Sequence, residues 1–359
     1  MISDRDIARW RLRSQHLVEP HSATAVGVVG SLLAVQAENP GQSAWAVACR
    51  TSDPSQDDVR SALADGRLIR THVLRPTWHY VRNEDLGWLL ALTAPRVLTT
   101  TGAQLRATFE ISDRELASIT STLLELLSER PDRSRGEVAE GLHERGVDLD
   151  GQRLMIVFAH LELDRLICSG RPRGETHTYA LFADRVPTSR DLDREEALRE
   201  LALRYLTGHG PATERDLSYW ATLTLTDARR AIELAADGLD RFEHDGSTFW
   251  HAPGDPPTRR GAPAAHLLQI LDEMYRGYQD SRWVIDAEGF VPRVREATLG
   301  MGLADGQLVS AVRRKISGDQ VVFALSPHRP LQRWEIAGLR RAGARYGTFL
   351  DLDATVEVP

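Results

Sequence analysis

Lysine is almost absent from this 359-residue chain: of 44 basic side chains Lys315 is the sole lysine, and the rest are arginine. Chemistry that runs through a lysine Schiff base therefore has one candidate amine. Cysteine is nearly as scarce. Cys49 and Cys168 each lack a second Cys or His at ligand spacing, which argues against a disulfide framework or a zinc cluster and reads both as small buried hydrophobes. No apolar run approaches the ~20 residues needed to span a bilayer. The opening MISDRDIARWRLR is charged and has no apolar stretch ending in small residues, so a cytoplasmic address is predicted. Also missing are a phosphate-cradling Gly loop, an HExxH pair, a serine elbow and a nicotinamide fingerprint. Several common enzyme classes fall away with them, and no metal or cofactor is called for.

What remains is an ordinary globular composition: 42% hydrophobic, 26% charged, mean hydropathy −0.32. A net charge of −7 runs against the basic footprint of most nucleic-acid binders. Arginine clusters can still line a local positive groove on an acidic protein, so charge leaves the partner open.

Along the chain, apolar residues recur at helical spacing over 3–17 and again over 23–35, the second run opening after Ser22 as cap and stopping before Pro40. A third helix covers 57–64 with Gly66 as its stop, and 68–81 alternates as a strand pair. Helix, helix, helix, strand pair is a winged-helix order. Beyond linking helices at 84–109 and 113–129 the order returns: Ser134 caps a short helix, 152–166 is a longer one, and LICSGRPRGETHTYALF reads as a hairpin whose turn carries Arg171 and Arg173. A third copy follows, broken at GHGPAT, capped at Thr213, and ending in a hairpin that turns at Asp245 and Gly246. The Pro-rich stretch 251–261 marks a linker. After it, strands at 298–303, 307–313 and 320–325 joined by DG and SGD turns predict a small sheet or barrel, closed by a helix over 333–346. The fold class expected is α+β: three tandem winged-helix units (1–110, 111–192, 193–255), then a small C-terminal antiparallel β-barrel (256–359).

Three constellations could carry chemistry. VQAENP sets Gln36, Glu38 and Asn39 at the exit of the second helix, where they serve equally as caps or solvated loop residues. A carboxylate opposed by a helix C-terminus would be a better proton acceptor. RTHVLRPTWHYV packs Arg70, His72, Arg75, Thr77, Trp78 and His79 into one strand pair, with Thr77 and His79 on one face, although such histidines are more often structural. ILDEMYRGYQDSRW alternates Tyr275, Arg276, Tyr278, Asp280 and Arg282, a pattern that suits base stacking and phosphate contact, or a helix end with a core tyrosine. Lys315 sits in a turn-flanked strand, RRKISGD, suited to a phosphate contact.

With LIRTHVLRPTWHYV and DLGWLLALTAPRV beside it, VQAENP resembles the catalytic region of the winged-helix (helix-turn-helix 42 type) DNA glycosylases typified by AlkZ and YcaQ. The likeness continues through SGRPRGETHTYAL, ALRELALRYLTGHGPATERDLSYWATLTLTDARRAIE and YRGYQDSR to HRPLQRWEIAGLRRAGARYGTFL. It implies three winged helices and a β-barrel around a DNA channel, double-stranded DNA carrying alkylated purines as partner, and excision of N7-alkylated purines, interstrand crosslinks sometimes included. The family's catalytic segment reads Gln, residue, Gln, or, in the YcaQ branch, Gln, residue, Asp. By position these fall on Gln36, Ala37 and Glu38. Glu38 departs from both patterns while keeping the carboxylate of the second.

The resemblance thus implies a glycosylase with Gln36 and Glu38 as its catalytic pair; with Lys315 as the sole lysine, and placed in a turn-flanked strand, a monofunctional enzyme is predicted, and a monomer is expected. Asn39, His72, Arg75, Thr77, His79, Arg171, Arg173, Tyr275, Arg276, Tyr278, Arg282 and Lys315 are the candidate DNA contacts. The alternatives are a non-catalytic winged-helix regulator and a protein-interaction module.

Overall fold

The computed structural model describes residues 2–257, 263–269, 271–292 and 300–359. Helix α1 (Asp4–Ser14) opens on a capping box between Ser3 and Asp6. After it come α2 (Ala25–Leu32), β1 (Ala34–Gln36), α3 (Pro40–Ala48), α4 (Gln56–Ala64), β2 (Leu68–Val73) and β3 (Thr77–Arg82). The three strands pair antiparallel in the order β1-β3-β2. Helix α5 (Asn83–Ala107) leads to a second set: α6 (Asp113–Glu129), β4 (Arg133–Ser134), α7 (Arg135–Glu144), α8 (Gly151–Leu163), β5 (Ile167–Ser169) and β6 (Thr178–Leu181). Its sheet has the matching order, β4-β6-β5. A short α9 (Phe182–Arg185) precedes α10 (Arg194–Gly208), α11 (Glu214–Ala221), α12 (Leu225–Leu234), β7 (Asp240–His244) and β8 (Ser247–His251). Here the first strand has shrunk to one bridge, Ala212 to Trp250. One element order therefore recurs three times.

The chain ends in β9 (Ala265–Leu268), α13 (Glu273–Arg276), β10 (Gly300–Ala304), β11 (Gln307–Ser317), β12 (Gln320–Pro327), α14 (Arg333–Leu350) and β13 (Asp353–Glu357). Among the described residues these strands form one five-stranded sheet, β13-β12-β11-β10-β9. The expectation of a purely antiparallel barrel is corrected: β13 lies parallel to β12 because α14 carries the chain back across the sheet before it pairs. Residues 298 and 299, the start of one expected strand, and residues 258–261 of the expected linker lie outside the described residues.

A second correction bears on the site. The apolar run over 23–35 is not one helix: Thr24, not Ser22, caps α2, and Leu33 at φ +66° turns the chain out of it into β1. Pro40 begins a helix rather than ending one, occupying the first turn of α3, where its missing N–H costs nothing.

Packing draws the sections together around β1. Leu33 and Ala34 belong to a core with Leu201, Tyr205 and Trp220 of the third repeat. Trp45 of α3 lies in another core with Leu267, Met301 and Leu339, and its indole N–H donates to the Leu267 carbonyl at 2.9 Å. The exit of β1 is thus a junction of the first repeat, the third repeat and the C-terminal sheet. No helix among the described residues is long and apolar enough to cross a membrane.

Candidate active site

Strand β1 is three residues long and pairs Ala34, Val35 and Gln36 with Val81, Tyr80 and His79. One step on, the Ala37 N–H donates to the Trp78 carbonyl at 2.7 Å. The Trp78 N–H in turn donates to Glu38 Oε2 at 3.0 Å. That bond holds an exposed carboxylate at the mouth of the sheet, just before the N-terminus of α3. The dipole argument made from the end of α2 falls away, since the nearest helix end is an N-terminus, which favours a carboxylate. Asn39 is the N-cap residue of α3, but its side chain makes no capping bond.

Gln36 is only 3% exposed. Its backbone N–H donates to Glu273 Oε1 at 2.9 Å, and its side-chain Oε1 accepts from Arg75 Nη2 at 3.4 Å. A guanidinium only donates, so this contact turns the amide oxygen toward Arg75 and leaves the NH2 group without a partner among the described residues. Arg75 also donates to the Trp220 carbonyl at 3.3 Å and lies 5.1 Å from the Tyr219 ring. Burial draws its pKa below the usual arginine value, and the charge of Glu273 works the other way.

Glu273 is fully buried on α13. Its Oε2 accepts from Trp220 Nε1 at 3.0 Å and from His209 Nε2 at 3.2 Å. Burial alone would raise its pKa, but the bond and charge of His209, with Arg75 and His79 behind, outweigh it and hold the group at about 2. Glu273 carries no pattern signal, being one of two adjacent acids in the ILDEMY stretch, and sequence reasoning missed it.

The second constellation is brought beside the first, but not as expected. His79 is fully buried, donates Nδ1–H to the Thr77 carbonyl at 2.9 Å, and is pushed down to about 4 by burial and then by Arg75. The Thr77 hydroxyl is spent on the Arg75 carbonyl at 3.2 Å. The two side chains therefore do not converge on an open pocket. His72 pairs through Nδ1 with the buried Glu162 and lies 4.4 Å from the Trp78 ring. Arg70 stacks over Trp78 at 4.1 Å and donates to the Ala37 carbonyl at 3.0 Å, bracing the turn that presents Glu38.

The third constellation is mostly structural. Tyr278 is fully buried, donating to the His209 carbonyl and accepting from Gln15, so it offers no face to a base. Arg282 donates to the Tyr275 and Tyr278 carbonyls and lies 4.0 Å over the Tyr275 ring, while Arg276 lies 5.9 Å from the same ring. Arg171 is exposed on the β5–β6 hairpin, where Arg173 pairs with Glu137. Lys315 is exposed on β11, next to Arg314, which donates to the Gly41 carbonyl at 3.0 Å and so ties this hairpin to the start of α3.

Two openings flank the segment. A cavity of about 180 Å³ lies among α3, α4, the β5–β6 turn and α14, bordered by Pro40, Gly41, Arg70 and His177. A wider cleft of about 530 Å³ runs between α5 and α11, lined by Arg75, Arg96, Gln104 and Tyr219 and, among the described residues, by no Asp or Glu.

The titration of His79 yields a prediction. A folded value near 4 against about 6.5 unfolded means the unfolded chain binds the extra proton between those pH values. The stabilising contribution is complete above pH ~6.5 and is lost as pH falls to ~4, on the order of 3 kcal/mol. Glu273 stays ionised throughout that window. Melting temperature should fall steadily from pH 7 to 4 in the wild type and less steeply in His79→Gln.

A family described as DNA glycosylase AlkZ-like matches residues 29–349. A curated relative from Streptomyces sahachiroi, the interstrand DNA cross-link repair glycosylase, is 27% identical over 250 residues, covering 66% of this chain and 66% of the relative. Among solved structures, Streptomyces sahachiroi DNA glycosylase AlkZ matches with a TM-score of 0.77 over 99% of each chain at 21% identity, a likeness of fold.

Proposed function

The chain belongs to the AlkZ-like DNA glycosylase family, and from that premise we propose that it hydrolyses the N-glycosidic bond of N7-alkylated purines in double-stranded DNA. The three repeats, within 1–110, 111–192 and 193–255, are read as winged helices, and 256–359 as the unit that backs them. The name of the Streptomyces sahachiroi relative extends the proposal to purines joined in an interstrand crosslink.

The observation that carries the reading is the pairing at the exit of β1: an exposed carboxylate fixed by a backbone N–H, two residues from an amide fixed by a guanidinium. An N7-alkylguanine is already cationic, so the electrons of the C1′–N9 bond leave with the base, and an oxocarbenium-like sugar remains. Glu38 stabilises that cation and takes a proton from the attacking water. With its oxygen turned to Arg75, Gln36 offers its NH2 group to one lone pair of the water while the other attacks C1′. The test is incubation with duplexes holding N7-methylguanine or a defined crosslink, followed by mild alkali. Strand breaks at the lesion are the expected result, and intact strands with both substrates overturn the reading.

Two predictions follow from the surroundings. Lys315 is the chain's one lysine and lies exposed on the turn-flanked β11, so the enzyme is read as monofunctional. Lys315→Ala should excise at the wild-type rate, and borohydride should trap no covalent DNA adduct with either protein. In the acid-free cleft, Arg96 is exposed and has no ion-pair partner among the described residues. Arg96→Ala should weaken duplex binding several-fold and lower the slope of log K against log salt by about 1, measured by anisotropy titration.

A further inference from the structure

We propose that Glu273 is a positioning residue that sets Gln36 for the reaction, an inference that rests on the role given to Gln36 above. Strand β1 is the edge of its sheet, and its Gln36 N–H points away from β3 in a place closed to water. A buried edge N–H left unpaired would cost on the order of 1–3 kcal/mol. Among the described residues no strand comes to pair with it. Glu273 Oε1 takes that N–H instead, from an α13 too short to be a scaffold by itself.

Satisfying one donor needs only a neutral acceptor, and the site has more. The second oxygen is held by two donors from the third repeat, Trp220 and His209. The preceding residue, Asp272, is locked to Arg50 of the first repeat by a buried ion pair. The charge of Glu273 also faces Arg75, whose guanidinium grips the other end of the same glutamine. Gln36 is therefore held at its backbone by an anion and at its side chain by a cation, each anchored on Trp220 through a different atom. This double grip leaves the amide NH2 one direction in which to point. The carboxylate touches neither DNA nor water in the proposed reaction, and it acts through Gln36 alone.

The experiment is a double-mutant cycle between Glu273→Gln and Gln36→Ala. It is read as the single-turnover rate of N7-methylguanine excision, with DNA affinity and melting temperature alongside. Glu273→Gln keeps the volume and loses the charge, and its new NH2 group faces the donors Trp220 and His209. The expected result is a rate about 10- to 100-fold lower, with duplex affinity within about 2-fold of wild type, as a misplacement near 1 Å would produce. The double mutant should be no slower than Gln36→Ala, because the effect passes through the residue already removed. A wild-type rate in Glu273→Gln, or losses that multiply in the double mutant, overturns the positioning role while leaving the role of Gln36 standing. A wild-type rate in Gln36→Ala overturns that role and this proposal with it. If Glu273→Gln gives no cooperative melt, Trp220→Phe removes one donor from the carboxylate and keeps an aromatic ring. A several-fold loss that vanishes in the Gln36→Ala background supports the proposal, and a wild-type rate overturns it.

Discussion

Exchanging Glu38 for glutamine is expected to slow excision of N7-methylguanine by about 10²- to 10⁴-fold, the range a positioned general base contributes. The substitution isolates charge from shape. Glutamine keeps an oxygen that accepts the Trp78 N–H, so the turn between β1 and α3 retains that tether beside the Arg70 bond to the Ala37 carbonyl, and the exposed position adds no buried strain. Duplex affinity should stay within a few-fold, and melting temperature within a degree or two. Glu38→Asp keeps the charge and shortens the reach by one methylene, so its rate should lie between those of the wild type and Glu38→Gln. Single-turnover rates on a methylated duplex decide the matter. Excision by Glu38→Gln at the wild-type rate would remove the carboxylate from the mechanism.

Why Glu38 stands where it does was legible only in part. The strand pair over 68–81, the capped helices at Ser134 and Thr213, and the Asp245–Gly246 turn lie where period and punctuation placed them. Those signals are local. The segment around β1 is different: Ala34, Val35 and Gln36 continue the apolar spacing of α2, and nothing local announces that Leu33 takes a left-handed conformation so that the next three residues can pair with β3. Pro40 is ambiguous for a related reason, since proline serves both the stop of one helix and the first turn of another. Tertiary pairing decided both cases.

The same limit governed the side chains. The resemblance points to Gln36 and Glu38, whereas Arg75 is one of six candidates in RTHVLRPTWHYV, and only the fold turns its guanidinium onto the Gln36 amide. Tyr278 and Arg282 looked like a stacking surface because tyrosine and arginine suit either a core or a groove. The hydrogen bonds of Tyr278 to His209 and Gln15 put it in the core. Buried acids such as Glu273 and Glu162 are the hardest to foresee, since their partners come from distant repeats.

Asp272→Ala should produce the largest loss of stability, about 3–5 kcal/mol. Both Asp272 and Arg50 are fully buried, and the carboxylate takes Arg50 Nη1 at 3.0 Å and Nη2 at 2.7 Å in a bidentate pair. Arg50 keeps its contacts with the Ala46 carbonyl and Gln15 Oε1 after the substitution, but neither is charged, so a buried guanidinium loses the one carboxylate bonded to it and keeps only the more distant charge of Glu273. Asp272 Oδ1 also accepts the Met274 N–H, and the start of α13 loses its cap at the same stroke. Melting temperature should fall on the order of 10 °C. Replacing both partners, Arg50→Met with Asp272→Leu, should recover part of the loss, since no charge then remains to be desolvated. Recovery separates an uncompensated charge from a lost contact: a double mutant as unstable as Asp272→Ala would mean that the cap and the packing of α13, not the ion pair, hold Glu273 beneath Gln36.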